Sequence, residues 1–448
     1  MTEVSNPFLQ NNYAPVSDEC TAFNLPVSGQ IPKELTGRLM RIGPNPISTP
    51  QGKHHWFSGN GFVHGLRLEN GEAKWYRSRF VRDDEVSAKR QLENLPGPRF
   101  VEMGAGTANT NIITHAGKNY AIVEAGGNPI ELSDELESVA RTDFNGTLPG
   151  PFSAHPKLDP DTGELHVLGY FFGWDCLQYI VVDPEGEVRK TVDIPVEGRP
   201  MIHDCGITSR YFIVFDFPVL FTPQMIEEGY SLPYRWHDNH GARVGLLPRD
   251  GTAADILWHE VDPCFVFHPV NAYDDPSGKV ILDVVRHPRL FDSGSEHLEV
   301  DAQTQNLFRW TITPGEGRVK EECLSDRPQE FPRHDPRRVG KSYRYGYCGS
   351  CDHEGLFGGL LKHDLEKGTV EHRDDGPAHL YQEPVFIPRS ENADEDDGWI
   401  MSFVHNKERD EADVVILHAQ DFTGQPLATI QLPARVPYGF HGNWAPEP

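Results

Sequence analysis

Short runs of aromatic and β-branched residues recur from one end of the chain to the other, and turn-forming residues separate them. The runs lie at residues 37–42, 62–68, 111–124, 164–172, 178–182, 211–217, 279–285, 308–312, 400–404 and 414–417. Two pairs of runs enclose hairpin turns, at 69–71 and 183–186. Helical patterns are few and short; one covers 133–140, where Ser133 is placed to cap a first turn. The pattern predicts an all-β protein.

The length of the chain narrows the all-β architectures. A β-sandwich is usually far shorter than 448 residues, whereas 448 divided by seven gives 64 residues, enough for four strands and their loops. No WD or kelch repeat occurs. We therefore expect a seven-bladed β-propeller with irregular blades, capped by loops and short helices on the active-site face. No linker interrupts the pattern, so residues 1–448 are predicted to form one domain, with 1–36 as an extension that packs on the propeller.

Charge and cysteine content limit the classes of function. The chain has 41 Lys and Arg against 67 Asp and Glu, a net charge of −26, which disfavours nucleic-acid binding. Seven scattered cysteines do not resemble a secreted disulfide framework. The polar N-terminus lacks a secretory pattern, and no apolar run approaches the roughly 20 residues of a membrane span. We expect a cytoplasmic protein.

Common catalytic motifs are missing from the sequence. There is no G-x-S-x-G nucleophile elbow and no H-E-x-x-H pair. Cys348 and Cys351 form a lone C-x-x-C, which favours a turn in a strand over a zinc or redox site.

Four of the 21 histidines stand out through their surroundings. His155, His203 and His268 lie in Ser-Ala-His-Pro, Ile-His-Asp-Cys and Phe-His-Pro-Val, and His441 lies in Phe-His-Gly-Asn. Their successive intervals are 48, 65 and 173 residues. Because the first two intervals are near one blade length, successive blades could each present one imidazole to a shared axis.

Two further segments make the pattern recognisable: Phe-Ser-Gly-Asn-Gly-Phe-Val-His at 57–64 and Asn-Thr-Asn at 109–111. With the four histidine segments in order, the chain resembles the carotenoid cleavage oxygenases from about residue 37 to residue 444. That family consists of seven-bladed propellers and also contains stilbene-cleaving dioxygenases. The resemblance implies one iron(II) per chain, bound by His155, His203, His268 and His441.

The resemblance also implies three outer carboxylates, at Glu124, Glu330 and Glu383, that accept hydrogen bonds from the liganding imidazoles. A glutamate beside apolar strand residues is costly to bury without a partner, which supports this role over three surface glutamates. His64, in the early signature, matches no metal ligand and is expected to pack or form a hydrogen bond inside a blade.

Iron bound by four histidines implies that O₂ cleaves a carbon–carbon double bond of a hydrophobic alkene. In the stilbene-cleaving branch a lysine precedes the glutamate that matches Glu124, and with a tyrosine it binds the phenol of the substrate. Here that position is Val123, and no counterpart of the tyrosine is found near 92–100. The sequence therefore favours a carotenoid or apocarotenoid, with a stilbene as the alternative.

Residues 215–236 are rich in apolar side chains. Phe217 and Phe221, with Val123, are candidates for the substrate tunnel, and the segment is a candidate patch for peripheral membrane contact. A buried loop between blades is an equal alternative. Two other functional classes are compatible with a propeller: a non-catalytic interaction platform and a calcium-dependent lactonase.

Overall fold

The chain folds into a seven-bladed β-propeller, which confirms the predicted fold class. The computed structural model describes residues 6–100, 102, 104, 106–292 and 304–447. Each blade is an antiparallel sheet, and we number the blades 1 to 7 in chain order. Inner strands of neighbouring blades contact one another at most junctions of the ring, so residues at these strands from different blades can meet.

Blades 2 to 6 each contain four strands in chain order, and the hairpin of Val219–Phe221 with Tyr234–Trp236 is inserted between the second and third strands of blade 4. Blade 2 consists of Asn111–His115, Lys118–Ile122, Ile130–Leu132 and Ser138–Arg141. Blade 3 consists of Lys157–Leu158, Leu165–Gly169, Cys176–Val182 and Val188–Pro195. Blade 4 consists of Cys205–Ile207, Tyr211–Asp216, Arg243–Pro248 and Leu257–Glu260. Blade 5 consists of Phe265–Asp274, Val280–His287, Asn306–Ile312 and Lys320–Ser325, and blade 6 of Gln329–His334, Tyr345–Ser350, Leu360–Asp364 and Thr369–Arg373.

Blades 1 and 7 combine strands from both ends of the chain. Blade 1 consists of Cys20–Ala22, Gly37–Pro44, Gly61–Glu69, Glu72–Phe80 and the C-terminal strand Gly442–Pro446. Blade 7 consists of Val27–Gly29, His379–Tyr381, Val385–Pro388, Gly398–Asn406, Glu411–His418 and Ala428–Gln431. The C-terminal strand pairs with the first long strand of blade 1, where Arg41 lies opposite Gly442. This pairing closes the ring.

Helices are short and lie between strands. The described residues include the α-helices Asp84–Lys89 and Gln224–Glu227 and the 3-10 turns Pro7–Leu9, Asn11–Tyr13, Ala253–Asp255, Pro336–Arg338 and Ala419–Asp421. The helix predicted at 133–140 is wrong. Ser133 Oγ accepts the N–H groups of Glu135 and Glu137 in a turn, and the chain then enters the last strand of blade 2. Pairing with the neighbouring strand outweighs the local helical preference.

The hydrophobic core is divided among the spaces between adjacent blades. The strand Gly398–Asn406 is buried along its whole length, because both faces of blade 7 are covered. The outer strand Val188–Pro195 alternates between more and less exposed residues, because one face meets solvent. Buried strands therefore give continuous apolar runs in the sequence instead of clear alternation. Within the described ranges, no helix is long and apolar enough to cross a bilayer.

Candidate metal centre

Four histidines from four blades meet where the first strands of the ring converge. His155 and His203 precede the first strands of blades 3 and 4, His268 lies in the first strand of blade 5, and His441 precedes the C-terminal strand of blade 1. Nε2 of His268 is 3.1 Å from Nε2 of His203 and 3.2 Å from Nε2 of His441. The ring of His155 lies with its centre 4.5 Å from the centres of both His203 and His441.

The donor set fits one metal ion. The four histidines are buried, and their candidate ligand atoms all lie within 4.8 Å of one another. Two cis nitrogens on an octahedral ion are about 3 Å apart when each bond is about 2.1 Å, close to the two separations above. Nε2 of His155 is buried and has no hydrogen-bond partner in the protein, which is unfavourable unless it binds a ligand.

The electrostatic surroundings keep at least two of these imidazoles neutral. Burial lowers the pKa of His155 well below its ordinary value, and burial also lowers the pKa of His441 to about 4. A neutral imidazole has a lone pair free for a metal. Burial disfavours the charged form of His268 as well, but the adjacent Glu330 outweighs this effect and raises the pKa of His268.

Glu330, from the first strand of blade 6, orients His268. Nδ1 of His268 donates to Oε2 of Glu330 at 2.6 Å, and Nε2 of His287 donates to Oε1 at 2.9 Å. Burial opposes ionisation of Glu330, but the two histidines outweigh it and lower the pKa of this carboxyl. Because Nδ1 of His268 carries the proton, its Nε2 is left to face the centre.

Glu383, between the two inner strands of blade 7, orients His441. Nδ1 of His441 donates to Oε1 of Glu383 at 2.8 Å, and the backbone N–H of Gly442 donates to Oε2 at 2.8 Å. Nη1 of Arg333 lies 3.3 Å from Oε1. Burial favours the neutral acid, but Arg333 and His441 lower the pKa of Glu383 to about 2, so it is a carboxylate.

Glu124, which follows the second strand of blade 2, orients His203. Nδ1 of His203 donates to Oε2 of Glu124, and the hydroxyl of Tyr170 donates to Oε1 at 2.5 Å. Burial would raise the pKa of Glu124, but His203 outweighs burial and the net shift is downward. The structure thus brings each of the three glutamates predicted from the sequence against a different histidine of the cluster.

A cavity of about 140 Å³ opens beside the histidines and is walled mostly by apolar and aromatic side chains. It is lined by the ligand residues His203, His268 and His441 and by Trp56, Phe57, Val123, Tyr170, Met201, Leu232, Tyr234, Phe267, Phe331, Leu356 and Phe440. Val123 therefore lies on the cavity wall beside Glu124. Such a cavity suits a planar, hydrophobic molecule held against the metal-binding nitrogens.

The other tunnel residues expected from the sequence are placed elsewhere. Phe217 and Phe221 do not line the cavity; both pack in the apolar cluster between blades 4 and 5. Most large apolar side chains of 215–236 are buried, whereas Tyr230 and Leu232 are half-buried and Ile226 is 53% exposed. The segment forms the hairpin Val219–Phe221 with Tyr234–Trp236, inserted in blade 4, and its burial agrees with the alternative of a buried loop between blades.

Two tyrosines of the cavity were missed by sequence reasoning. Tyr170 follows the second strand of blade 3, and Tyr234 lies in the inserted hairpin. Neither lies within 92–100, the range in which the resemblance would place the tyrosine of the stilbene-cleaving branch. The hydroxyls come close to Glu124 only because blades 2, 3 and 4 meet at the centre.

Other sequence predictions concern residues away from the cavity. Nδ1 of His64 is 2.8 Å from the hydroxyl of Tyr76 on the adjacent strand, which confirms the structural role predicted for this histidine. Cys348 lies in a strand of blade 6 and Cys351 just beyond it, and both are buried free thiols. Among the described residues, neither thiol belongs to a group that could hold a metal ion.

Comparison with known proteins places the chain in a family. Residues 13–446 match the family model RPE65, described as retinal pigment epithelial membrane protein. A carotenoid cleavage oxygenase of Mycobacterium tuberculosis is 39% identical, with 99% of this chain and 98% of that protein aligned. A carotenoid 9,10(9',10')-cleavage dioxygenase of Crocus sativus is 31% identical over 98% of this chain and 89% of its own length.

Solved structures agree with the sequence matches. The lignostilbene dioxygenase of Pseudomonas brassicacearum superposes with a TM-score of 0.89 at 28% identity, covering 98% of both chains. Cobalt-substituted Synechocystis apocarotenoid oxygenase superposes with a TM-score of 0.85 at 29% identity, covering 97% of both chains. The relatives named as oxygenases and dioxygenases are oxidoreductases, and with its seven blades and its four-histidine centre the chain belongs to the RPE65 and carotenoid cleavage oxygenase family.

Proposed function

We propose that the protein is an iron(II)-dependent dioxygenase that cleaves a carbon–carbon double bond of a carotenoid or apocarotenoid. The observation that carries this proposal is the convergence of four imidazoles beside an apolar, aromatic cavity. One alkene and one O₂ together contain all the atoms of two carbonyl products. The reaction therefore requires no net proton transfer from a side chain, and the cavity contributes by holding the alkene in place.

The donor set suits iron(II). Imidazole nitrogen is a good ligand for this ion, and four of them leave two cis positions of an octahedron. Bound there, iron(II) would activate O₂ for addition to the double bond. Glu124, Glu330 and Glu383 accept the Nδ1–H groups of three ligands, which fixes their tautomers and offsets the charge of a divalent ion.

The cavity wall supports a polyene substrate. The rings of Trp56, Phe57 and Phe267 offer flat apolar surface, and each Å² of polyene removed from water contributes roughly 25 cal/mol. Val123 adds another apolar side chain beside Glu124. A valine cannot bind a phenolate, so this position favours a carotenoid or apocarotenoid over a hydroxylated stilbene.

A stilbene is the second candidate substrate, for two reasons. One is the likeness to the lignostilbene dioxygenase. The other is the hydroxyl of Tyr234, which lines the cavity near Tyr170 and could hydrogen-bond to a phenol. The hydroxyl of Tyr170 donates to Glu124 and is also hydrogen-bonded to that of Tyr234, so a phenol would make this contact at the oxygen of Tyr234.

The donor chemistry disfavours the two other classes. Calcium takes six to eight oxygen ligands, whereas this centre presents four imidazole nitrogens. An interaction platform has no need of four buried histidines with three carboxylates arranged behind them.

The proposal is tested by incubating the iron-loaded protein in air with a carotenoid, an apocarotenoid and a stilbene, and identifying the products by mass. We expect paired carbonyl products from a carotenoid or apocarotenoid, and none from His268→Ala. Cleavage of the stilbene alone would select the second candidate substrate. Failure to cleave any alkene, with iron fully bound, would contradict the proposal.

A further inference from the structure

His155 differs from the other three histidines in its outer contacts. His203, His268 and His441 each donate Nδ1–H to a glutamate, but no glutamate holds His155 in this way. Instead, Oδ2 of Asp204 lies 3.7 Å from Nδ1 of His155. A liganding imidazole nearly always donates its outer N–H to a carboxylate, a carbonyl or a water, so this nitrogen requires an acceptor once a metal is bound.

Asp204 is held in place by its own contacts. Its carboxylate is 2% exposed, and Nζ of Lys157 lies 2.7 Å from Oδ1 and 3.0 Å from Oδ2. The backbone N–H of Cys205 donates to Oδ1 at 2.5 Å. Lys157 stands two residues beyond His155, and Asp204 directly follows His203, so two ligand segments from adjacent blades meet in this ion pair. Glu383, the outer carboxylate of His441, is likewise paired with a cation, Arg333.

Both residues of the pair face a second cavity, of about 490 Å³. It is lined by His155, Lys157, Asp204, Arg333, His334 and Asn443, and it also touches His268 and His441. The apolar cavity touches His268 and His441 as well, so these two rings border both cavities. The 3.7 Å between Nδ1 of His155 and Oδ2 of Asp204 is too short for a bridging water, so a small movement of either side chain would make this hydrogen bond direct.

We propose that Asp204, paired with Lys157, is the outer carboxylate of His155 and the fourth positioning carboxylate of the metal centre. In the metal-loaded protein Asp204 accepts Nδ1–H of His155, and Lys157 offsets part of its negative charge. The inference rests on the proposed metal-binding function, but it does not depend on the substrate or on which divalent metal is native.

The test measures metal binding and not turnover. Cobalt(II) is added to the metal-free wild type and to the variants Asp204→Asn, Asp204→Glu and Lys157→Met. For each protein we measure the cobalt affinity, the rate at which a chelator removes cobalt, and the visible spectrum of the bound cobalt. Asp204→Asn should lose about 10–100-fold in affinity and shift the spectrum, and Asp204→Glu should recover part of the loss. Lys157→Met should bind cobalt more tightly, because the carboxylate beside His155 is then less neutralised.

The matched control is Asp396→Asn, which breaks the 3.0 Å ion pair of Lys362 and Asp396 at the side of blade 6. This variant should lower the midpoint temperature of thermal unfolding without changing the cobalt affinity. Wild-type affinity and spectrum in Asp204→Asn, or weakened binding in both Asp204→Asn and Lys157→Met, would overturn the proposal in favour of a purely structural ion pair. If Asp204→Asn does not fold, the other two variants still test the proposal, because cobalt affinity should rise in Lys157→Met and fall in Asp204→Glu. Failure of wild-type protein to bind cobalt would instead contradict the proposed function.

Discussion

Glu383 binds His441 through one carboxylate oxygen and the backbone N–H of Gly442 through the other, each at 2.8 Å. Gly442 begins the strand that closes the propeller against Gly37–Pro44. One side chain therefore fixes both the orientation of a metal ligand and the start of the closing strand. The metal centre and ring closure share this contact.

The first prediction concerns that contact. Glu383→Gln keeps the shape but removes the charge, and we expect metal affinity to fall about 10–100-fold. Glutamine has one accepting oxygen in place of two, so it cannot accept from both His441 and Gly442, and the midpoint temperature of unfolding of the metal-free protein should fall as well. Metal titration and thermal denaturation measure the two effects. The control is Glu371→Gln, in the outer strand of blade 6, which should change neither metal affinity nor thermal stability. An unaltered metal affinity in Glu383→Gln would contradict the account.

The second prediction concerns acid stability of the metal-free protein. Burial holds the pKa of His441 at about 4, below the ordinary 6.5, so between these values only the unfolded chain takes up the proton. Glu383, with its pKa lowered to about 2, loses its stabilising contribution as the pH falls from about 4.5. The free energy of unfolding therefore falls between about pH 6.5 and 4 because of His441, and it falls further between about 4.5 and 2 because of Glu383.

Urea denaturation at several pH values measures this decline. In His441→Asn the imidazole is gone, so the decline between pH 6.5 and 4 should be shallower than in the native sequence. The raised pKa of His268 acts in the opposite direction and is present in both proteins. An equal decline in the two proteins would show that His441 is not a source of the acid sensitivity.

The third prediction concerns substrate class. Val123→Lys places an ammonium group on the cavity wall beside the metal centre, where it is repelled by a divalent ion and costly to bury. Cleavage of an apocarotenoid should fall, measured as kcat/KM. The substitution alone need not create stilbene cleavage. Val139→Lys, on an exposed valine of blade 2, is the control and should retain native activity. Native protein that cleaves hydroxystilbenes and leaves every carotenoid and apocarotenoid intact would contradict the substrate assignment.

The fourth prediction concerns Tyr170. Tyr170→Phe removes the hydroxyl that donates to Oε1 of Glu124, while the ring still fills the cavity wall. A hydrogen bond to a charged group contributes roughly 1.5–3 kcal/mol, so metal should be released faster from this variant. The control is Tyr179→Phe, which removes a buried hydroxyl bonded to His166 in blade 3, and should leave the release rate unchanged. Equal release rates for the two variants would argue against a role for Tyr170.

The fold and the histidine cluster were accessible from sequence because their signals are local. Each of the four histidines carries its own flanking residues near a strand, and the resemblance of these short segments to a family assigned the roles of the histidines and of Glu124, Glu330 and Glu383. The number of blades followed from length and strand spacing. None of these inferences required knowledge of which blades face each other.

The errors and omissions concern contacts between distant parts of the chain. Phe217 and Phe221 lie in a stretch, 212–221, that is buried at every position, so the sequence has no alternation that reveals which side each ring takes. The pairing of Asp204 with Lys157 joins two blades, although Asp204 is adjacent to a predicted ligand. The positions of the Tyr170 and Tyr234 hydroxyls in the cavity likewise depend on how neighbouring blades pack against one another.

The central claim is that His155, His203, His268 and His441 bind the metal ion of an oxygenase. The alkene that this enzyme cleaves with O₂ is held in the adjacent cavity. In the most direct test, iron-loaded wild type and His268→Ala are each incubated in air with one apocarotenoid. The products are identified by mass, and bound iron is measured in both proteins. The account predicts about one iron per chain and two carbonyl fragments from wild type, and loss of both iron and products in His268→Ala. Full iron content and undiminished cleavage in His268→Ala would contradict it.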